Sequence, residues 1–180
     1  MRRIYELIGF KVETILAILI ASAPVLAQKA PTPAASSVLT IGGITGESQT
    51  VPGGIDILSY SLSMSVPPGG RANFGDFTFV ANTSSASPAL LLNLATGRIS
   101  ATAVLYVRRS DLDQQYLKYT LGQVVISSLQ PANESYAGLP KEQFSLRYRR
   151  IEIEYHVINP DGTLGPPIIA CYDLATAREC

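Results

Sequence analysis

From residue 55 to 65 the chain alternates strictly. Asp56, Leu58, Tyr60, Leu62 and Met64 share one face, and Ser59, Ser61, Ser63 and Ser65 take the other. A period of two predicts a strand with one face buried. The same period returns over 100–109, where Ala101, Ala103, Leu105 and Val107 are in phase. Shorter apolar runs at 38–44, 74–80 and 168–174 read as further strands. The run 116–129 is apolar and β-branched without clean alternation, which suits a strand covered on both faces. Residues 144–157 alternate in two phases: Phe144, Leu146 and Tyr148 set one, and Ile151, Ile153, Tyr155 and Val157 the other. One extra residue restores an inward register, so the phase change predicts a β-bulge at Arg149-Arg150 in a continuous strand. The polar side of that strand then carries Ser145, Arg147, Arg149, Arg150, Glu152, Glu154 and His156.

One segment has a helical period instead, and it predicts a helix over about 88–96. Ser87 suits the N-cap, Pro88 the first helical position, and Gly97 the left-handed residue that ends the helix. Leu90, Leu91, Leu94 and Ala95 form its apolar stripe. Loops are marked by residues 47–54, Pro67-Pro68-Gly69-Gly70, residues 111–114 and 131–141, and Asn159-Pro160-Asp161-Gly162. About seven or eight strands with one short flanking helix predict a mainly β fold, a small antiparallel barrel or sandwich.

The N-terminus changes the picture of where the chain works. Met1-Arg2-Arg3 precedes an apolar run over 15–26 that ends in Val25-Leu26-Ala27. These are the parts of a secretory signal peptide, so residues 1–27 are expected to be removed and the product exported to the periplasm or medium. Residues 28–37, rich in Ala, Pro and Ser, read as a flexible leader, and 38–180 as one domain. After cleavage no stable membrane insertion is expected, and 11 basic and 12 acidic residues remain, a net charge of about −1. That balance argues against nucleic acid as a partner, since phosphate binding needs many cationic contacts. Cys171 and Cys180 are the two cysteines. In an oxidising compartment they either form a disulfide or stay as separate thiols, and the spacing leaves both readings open.

The order of motifs is similar to that of the Hcp family, the tube proteins of bacterial type VI secretion systems. The resemblance is carried by GGITGES at 42–48, IDILSYSLSMS at 55–65, Ser87-Pro88 with Leu90-Leu91, Ala95-Thr96-Gly97, Tyr116-Leu117-Lys118 and VVISS at 124–128. Phe144-Ser145-Leu146, IEIEY at 151–155, Asp161-Gly162 and Tyr172-Asp173-Leu174 continue it. It implies a barrel with one flanking helix that assembles as a homohexameric ring, with rings stacking into a tube and no catalytic residues of its own. Secretion-apparatus or effector proteins are the further partners that it implies. Against the family pattern stand the leader and the lack of any Trp, where Tyr60 and Tyr172 occupy positions that often hold one.

Chemistry is sparse. His156, the single histidine, lacks a nucleophile in a GxSxG elbow, so the residues support no catalytic triad. Neither a CxxC nor an HExxH spacing is present to build a zinc site, and the glycines at 42, 43 and 46 lack the Lys of a phosphate loop. No cofactor is expected. The interface candidates are therefore Glu47, Ser48 and Gln49 in the loop after the first strand, whose family counterpart reaches toward a neighbouring ring, and the polar stripe Arg147, Arg149, Arg150 and Glu152. The competing reading is an exported monomeric binding module built on the same barrel.

Overall fold

A computed structural model describes residues 35–109, 113–132 and 138–180. The signal peptide and most of the leader expected at 1–37 lie outside these residues. In chain order the described elements are β1 (Ala35–Ile41), β2 (Ile55–Ser61), β3 (Met64–Ser65), β4 (Asn73–Phe74), β5 (Phe77–Asn82), α1 (Ser87–Thr96), β6 (Ile99–Arg109), β7 (Gln114–Ala132), β8 (Lys141–Arg147), β9 (Arg150–Ile158), β10 (Leu164–Asp173) and β11 (Arg178–Glu179). β1 starts at Ala35, before the expected Val38, because Ala35, Ser36 and Ser37 already pair with Arg109, Arg108 and Val107.

The expected antiparallel barrel is a closed ring of six strands. The order β7-β6-β1-β2-β5-β8 returns to β7, since β8 also pairs with β7. β7 makes closure work through its 19 residues. Its later part, from Val125, pairs with β8, and its earlier part, Leu117 to Gly122, pairs with β9. β9, β10 and β11 thus leave the barrel as a wing of the same sheet. The apolar run of β7 reflects strand neighbours on both edges rather than two covered faces: Leu121, Val124 and Ile126 are buried, whereas Lys118 and Gln123 lie on the outer side.

Inside the barrel the three phenylalanines Phe77, Phe79 and Phe144 have no exposed surface. Their rings stack in series, Phe77 to Phe79 at 4.5 Å and Phe79 to Phe144 at 5.5 Å, and Tyr119 meets Phe77 edge-on at 5.4 Å. Burying each such ring contributes about 1.5–3 kcal/mol, so this stack is a large part of the apolar support of the barrel. β2 departs from strict alternation. Its ladder with β5 shifts between Ile57 and Ser59, so Ile55 and Ile57 point inward and Leu58 is left outside. The short hairpin β3–β4 folds over the wing, where Phe74 stacks on Tyr172 at 5.3 Å.

Helix α1 packs against β7. Gly97 ends it at φ 62°, as the sequence predicts. Its start differs: the N-cap is Ala86, without a side-chain cap, and Ser87 is the first helical residue. The Ser87 hydroxyl accepts from the Ser84 N–H at 3.0 Å and donates to the buried Glu142 carboxylate at 2.8 Å. The inward face is Leu90, Asn93 and Leu94 with Ala86 and Ala89, and Leu91 and Leu92 are exposed. Three leucines in a row cover every side of a helix, so their spacing could not fix its rotation.

Candidate functional site

The phase change predicted at Arg149-Arg150 is real, but it is not a bulge in one strand. β8 ends at Arg147 and β9 begins at Arg150, with Tyr148 and Ile151 buried on either side. Val125 faces Arg147 and Gly122 faces Arg150, so β7 matches the step with two residues of its own. On β7 the inward pair is Leu121 and Val124, and Gln123 between them is left-handed at φ 50°. On β6 it is Ser100 and Ala103, facing Val124 and Leu121. At the end of β1 it is Ile41 and Ile44, around Gly42-Gly43. Gly42 is tied to β6 from both sides: its N–H donates to the Thr102 carbonyl at 2.9 Å, and its carbonyl accepts from the Ser100 hydroxyl at 2.8 Å. Four neighbouring segments therefore change face at one level. An inserted residue in one strand alone would slip the ladder, whereas a shared step preserves it and creases the sheet.

The residues turned outward by this crease line an open groove of about 430 Å³, with Thr102, Gln123, Arg149, Arg150 and Asp173 as its polar walls. Each arginine of the stripe has an acid beside it. Arg147 Nε lies 3.5 Å from Asp76, Arg149 Nε 3.6 Å from Asp173, and Arg150 Nη2 3.1 Å from Glu152. Such exposed pairs contribute roughly 0–1 kcal/mol each, and their main effect is to leave the face electrically balanced. The Asp173 carboxyl is held below the usual range, first by the Thr176 N–H, with the Ala175 N–H and Arg149 adding to it against a desolvation cost. Ser145, expected on this outer face, is buried. The ladder sets it opposite Thr78, and the two hydroxyls bond at 2.9 Å away from water.

Further out on the wing Glu154 accepts from Lys118 Nζ and lies 3.1 Å from His156 Nε2, while His156 Nδ1 lies 2.9 Å from the Gly165 carbonyl. The Lys118 hydrogen bond, then that of His156, holds the Glu154 carboxyl low. The Gly165 carbonyl, then Glu154, raises the imidazole. Both ring nitrogens are occupied by acceptors, which is the environment of a structural histidine. Among the described residues no group of three or more His, Cys, Asp or Glu is placed to hold a metal ion.

The loop candidates separate. Ser48 is buried, and its hydroxyl accepts from the N–H groups of Thr50 at 3.3 Å and Val51 at 3.4 Å. Glu47 accepts from the Ser85 N–H at 3.0 Å, which ties the loop to the approach of α1. Gly54 sits so close to β1 that a Cβ there would lie 2.4 Å from Val38 Cγ1. The loop is thus folded onto its own barrel, with Ser48 buried in it and Glu47 and Gln49 exposed.

The feature that alternation missed is the outer edge of the wing. β10 runs from Leu164, well before the expected residue 168, and β11 covers it only at Tyr172 and Asp173. Ile168 and Ile169 on this edge are 60% and 57% exposed, and Tyr155 and Val157 on β9 are also exposed. Pro166-Pro167 was the available signal, because prolines inside an apolar run mark an edge strand. At its end Cys171 is bonded to Cys180, with Cα atoms 5.4 Å apart.

Residues 38–155, from β1 into β9, match a protein-family model described as "Type VI secretion system effector, Hcp". The chain belongs to the Hcp family. Solved structures agree in fold with this Hcp chain. A type six secretion system protein, 18% identical, superposes with a TM-score of 0.77 over 82% of this chain and 100% of its own. Hcp1 from Salmonella typhimurium gives 0.72 at 25% identity, over 82% of this chain and 99% of its own. A type VI secretion system effector from Yersinia pestis gives 0.65 at 24% identity, over 76% and 98%. No curated protein sequence matches the chain. The Hcp match ends before β10, so the open edge and the disulfide lie beyond it.

Proposed function

We propose that this Hcp chain is a non-enzymatic structural subunit whose copies close into a homohexameric ring, with rings able to stack into a secretion tube. The observation that carries the proposal is the wing: a barrel with no free edge of its own continues into a sheet in which β10, open except where β11 pairs with Tyr172 and Asp173, carries the exposed Ile168 and Ile169. An open apolar edge on one side of a closed body favours a heterologous contact, in which two different patches of one subunit meet round an axis. Arg147, Arg149, Arg150 and Glu152 form the polar rim of that contact, and Gln49 with Glu47 faces the adjacent ring. Family membership and the near-neutral surface support the same reading. Export through residues 1–27 accords with a chain whose cysteines are paired, since disulfides persist in oxidising compartments.

Sedimentation of the exported protein at micromolar concentration tests the ring. The expected particle has six times the chain mass, and intact mass of the same sample should place the first residue at Gln28. Ile168→Arg with Ile169→Arg should give a folded monomer. A wild-type chain that sediments as a monomer would remove the ring and leave a monomeric binding module.

A further inference from the structure

The two sulfurs of the Cys171–Cys180 bond sit in unlike surroundings. Cys171 is in β10, half-buried, opposite Glu152 in the ladder with β9. Arg150 Nε lies 3.1 Å from its Sγ, and Arg150 Nη2 is held at 3.1 Å by Glu152. Cys180 is exposed at the end of β11, a strand of two exposed residues held by ladder pairs with Tyr172 and Asp173. One sulfur is thus open to solvent on a lightly held strand, while the other is fixed in the sheet beside a guanidinium.

We propose that this disulfide is an exchange site for a soluble thiol, attacked at Cys180 and releasing Cys171 as a thiolate that Arg150 stabilises. The incoming thiolate forms a bond to Cys180 Sγ as the Sγ–Sγ bond breaks, and the electron pair of the broken bond stays on Cys171. One disulfide is exchanged for a mixed disulfide, with no net oxidation and no further reagent. The direction follows from leaving-group chemistry. A neighbouring Arg lowers the pKa of a thiol, and the lower the pKa of the departing thiol, the faster it leaves. Arg150 and Cys171 belong to adjacent sheet strands, so their contact does not depend on β11 and survives the opening. Glu152 opposes a thiolate by its charge, but it is bound to the same guanidinium and fixes that group in place. Once Cys180 carries the adduct, β11 keeps only its two ladder pairs. Its departure would leave the whole outer edge of β10 bare.

The test uses the oxidised full chain and glutathione, with samples trapped early by N-ethylmaleimide and both cysteine peptides read by mass spectrometry. Glutathione is expected on Cys180 and maleimide on Cys171. An adduct on Cys171, or an even split, would overturn the proposal, as would isolation of the exported chain with two free thiols. Arg150→Gln should slow opening by roughly three- to tenfold, and Arg150→Lys should recover part of the rate because the charge remains. Arg150→Gln opening as fast as wild type would also overturn it. The site of the wild-type adduct gives an answer that is independent of either variant.

Discussion

His156 sets its two ring nitrogens against two oxygens, and the Gly165 carbonyl and an ionised Glu154 can only accept. The protonated ring donates to both, whereas the neutral ring must give up one. Its pKa is therefore raised from 6.5, by the Gly165 carbonyl first and Glu154 second, against desolvation and the charge of Lys118 from β7. The stability it contributes is complete below 6.5 and is lost as pH rises through the raised value. Glu154 runs the other way: held low, it contributes above 4.5 and loses that contribution as pH falls through its lowered value. Thermal unfolding of His156→Gln against wild type should show the largest deficit, a few degrees, between 4.5 and 6.5, and almost none in alkaline buffer. A deficit independent of pH would refute this account. Ser87 acts on a partner outside its own helix. Burial pushes the Glu142 carboxyl up and the Ser87 hydroxyl pulls it back, so the serine supports a buried acid rather than capping its own helix. Glu142 lies 55 residues away in sequence, and no local pattern could reveal it.

Among the elements, the shared crease depends most on Gln123. A side chain at φ 50° is strained by about 1–2 kcal/mol, and glycine is not. Gln123→Gly should therefore raise stability by about 1 kcal/mol, and Gln123→Val should lower it by about as much or more, both read by denaturant unfolding. Equal midpoints for the two variants would show that the left-handed residue is not required. Of the four segments that change face, only 144–157 displayed the change in sequence, because Tyr148 and Ile151 are large and the arginines between them are charged. In β7 apolar residues occupy both phases, and in β6 the inward residue is Ser100, which reads as polar. At the end of β1 the step is made by Gly42-Gly43, which has no side chains to show a change of face. Most strands, the helix and its glycine stop were legible because each rests on local spacing, which left barrel and sandwich open. The barrel was what the family resemblance implied, and its closure rests on the long-range pairing of β7 with β8. Of the interface candidates, Arg147, Arg149 and Arg150 could be placed on an outer face from alternation, but the acidic partners of Arg147 and Arg149 are remote in sequence, Asp76 just ahead of β5 and Asp173 at the end of β10. The apolar edge of β10 was hidden because its two isoleucines are neighbours and point to opposite faces.

At the scale of the whole molecule, β7 belongs at once to the closed ring of strands and to the open wing. From Leu117 to Gly122 it is hydrogen-bonded on both edges, to β6 and to β9; at Val125 the β6 ladder ends and β7 pairs on with β8. The wing therefore cannot peel away without disturbing the strand that seals the barrel, and the two should melt as one cooperative unit. Amide hydrogen exchange is the measurement: β7 amides should exchange only with global unfolding, while the outer amides of β10 and β11 exchange through local fraying. Protection that is no higher in β7 than in β10 would contradict this. The consequence is mechanical. Whatever grips the wing pulls along the seam of the barrel itself, so a load applied at the edge of one chain is carried by its most protected strand rather than by a loop.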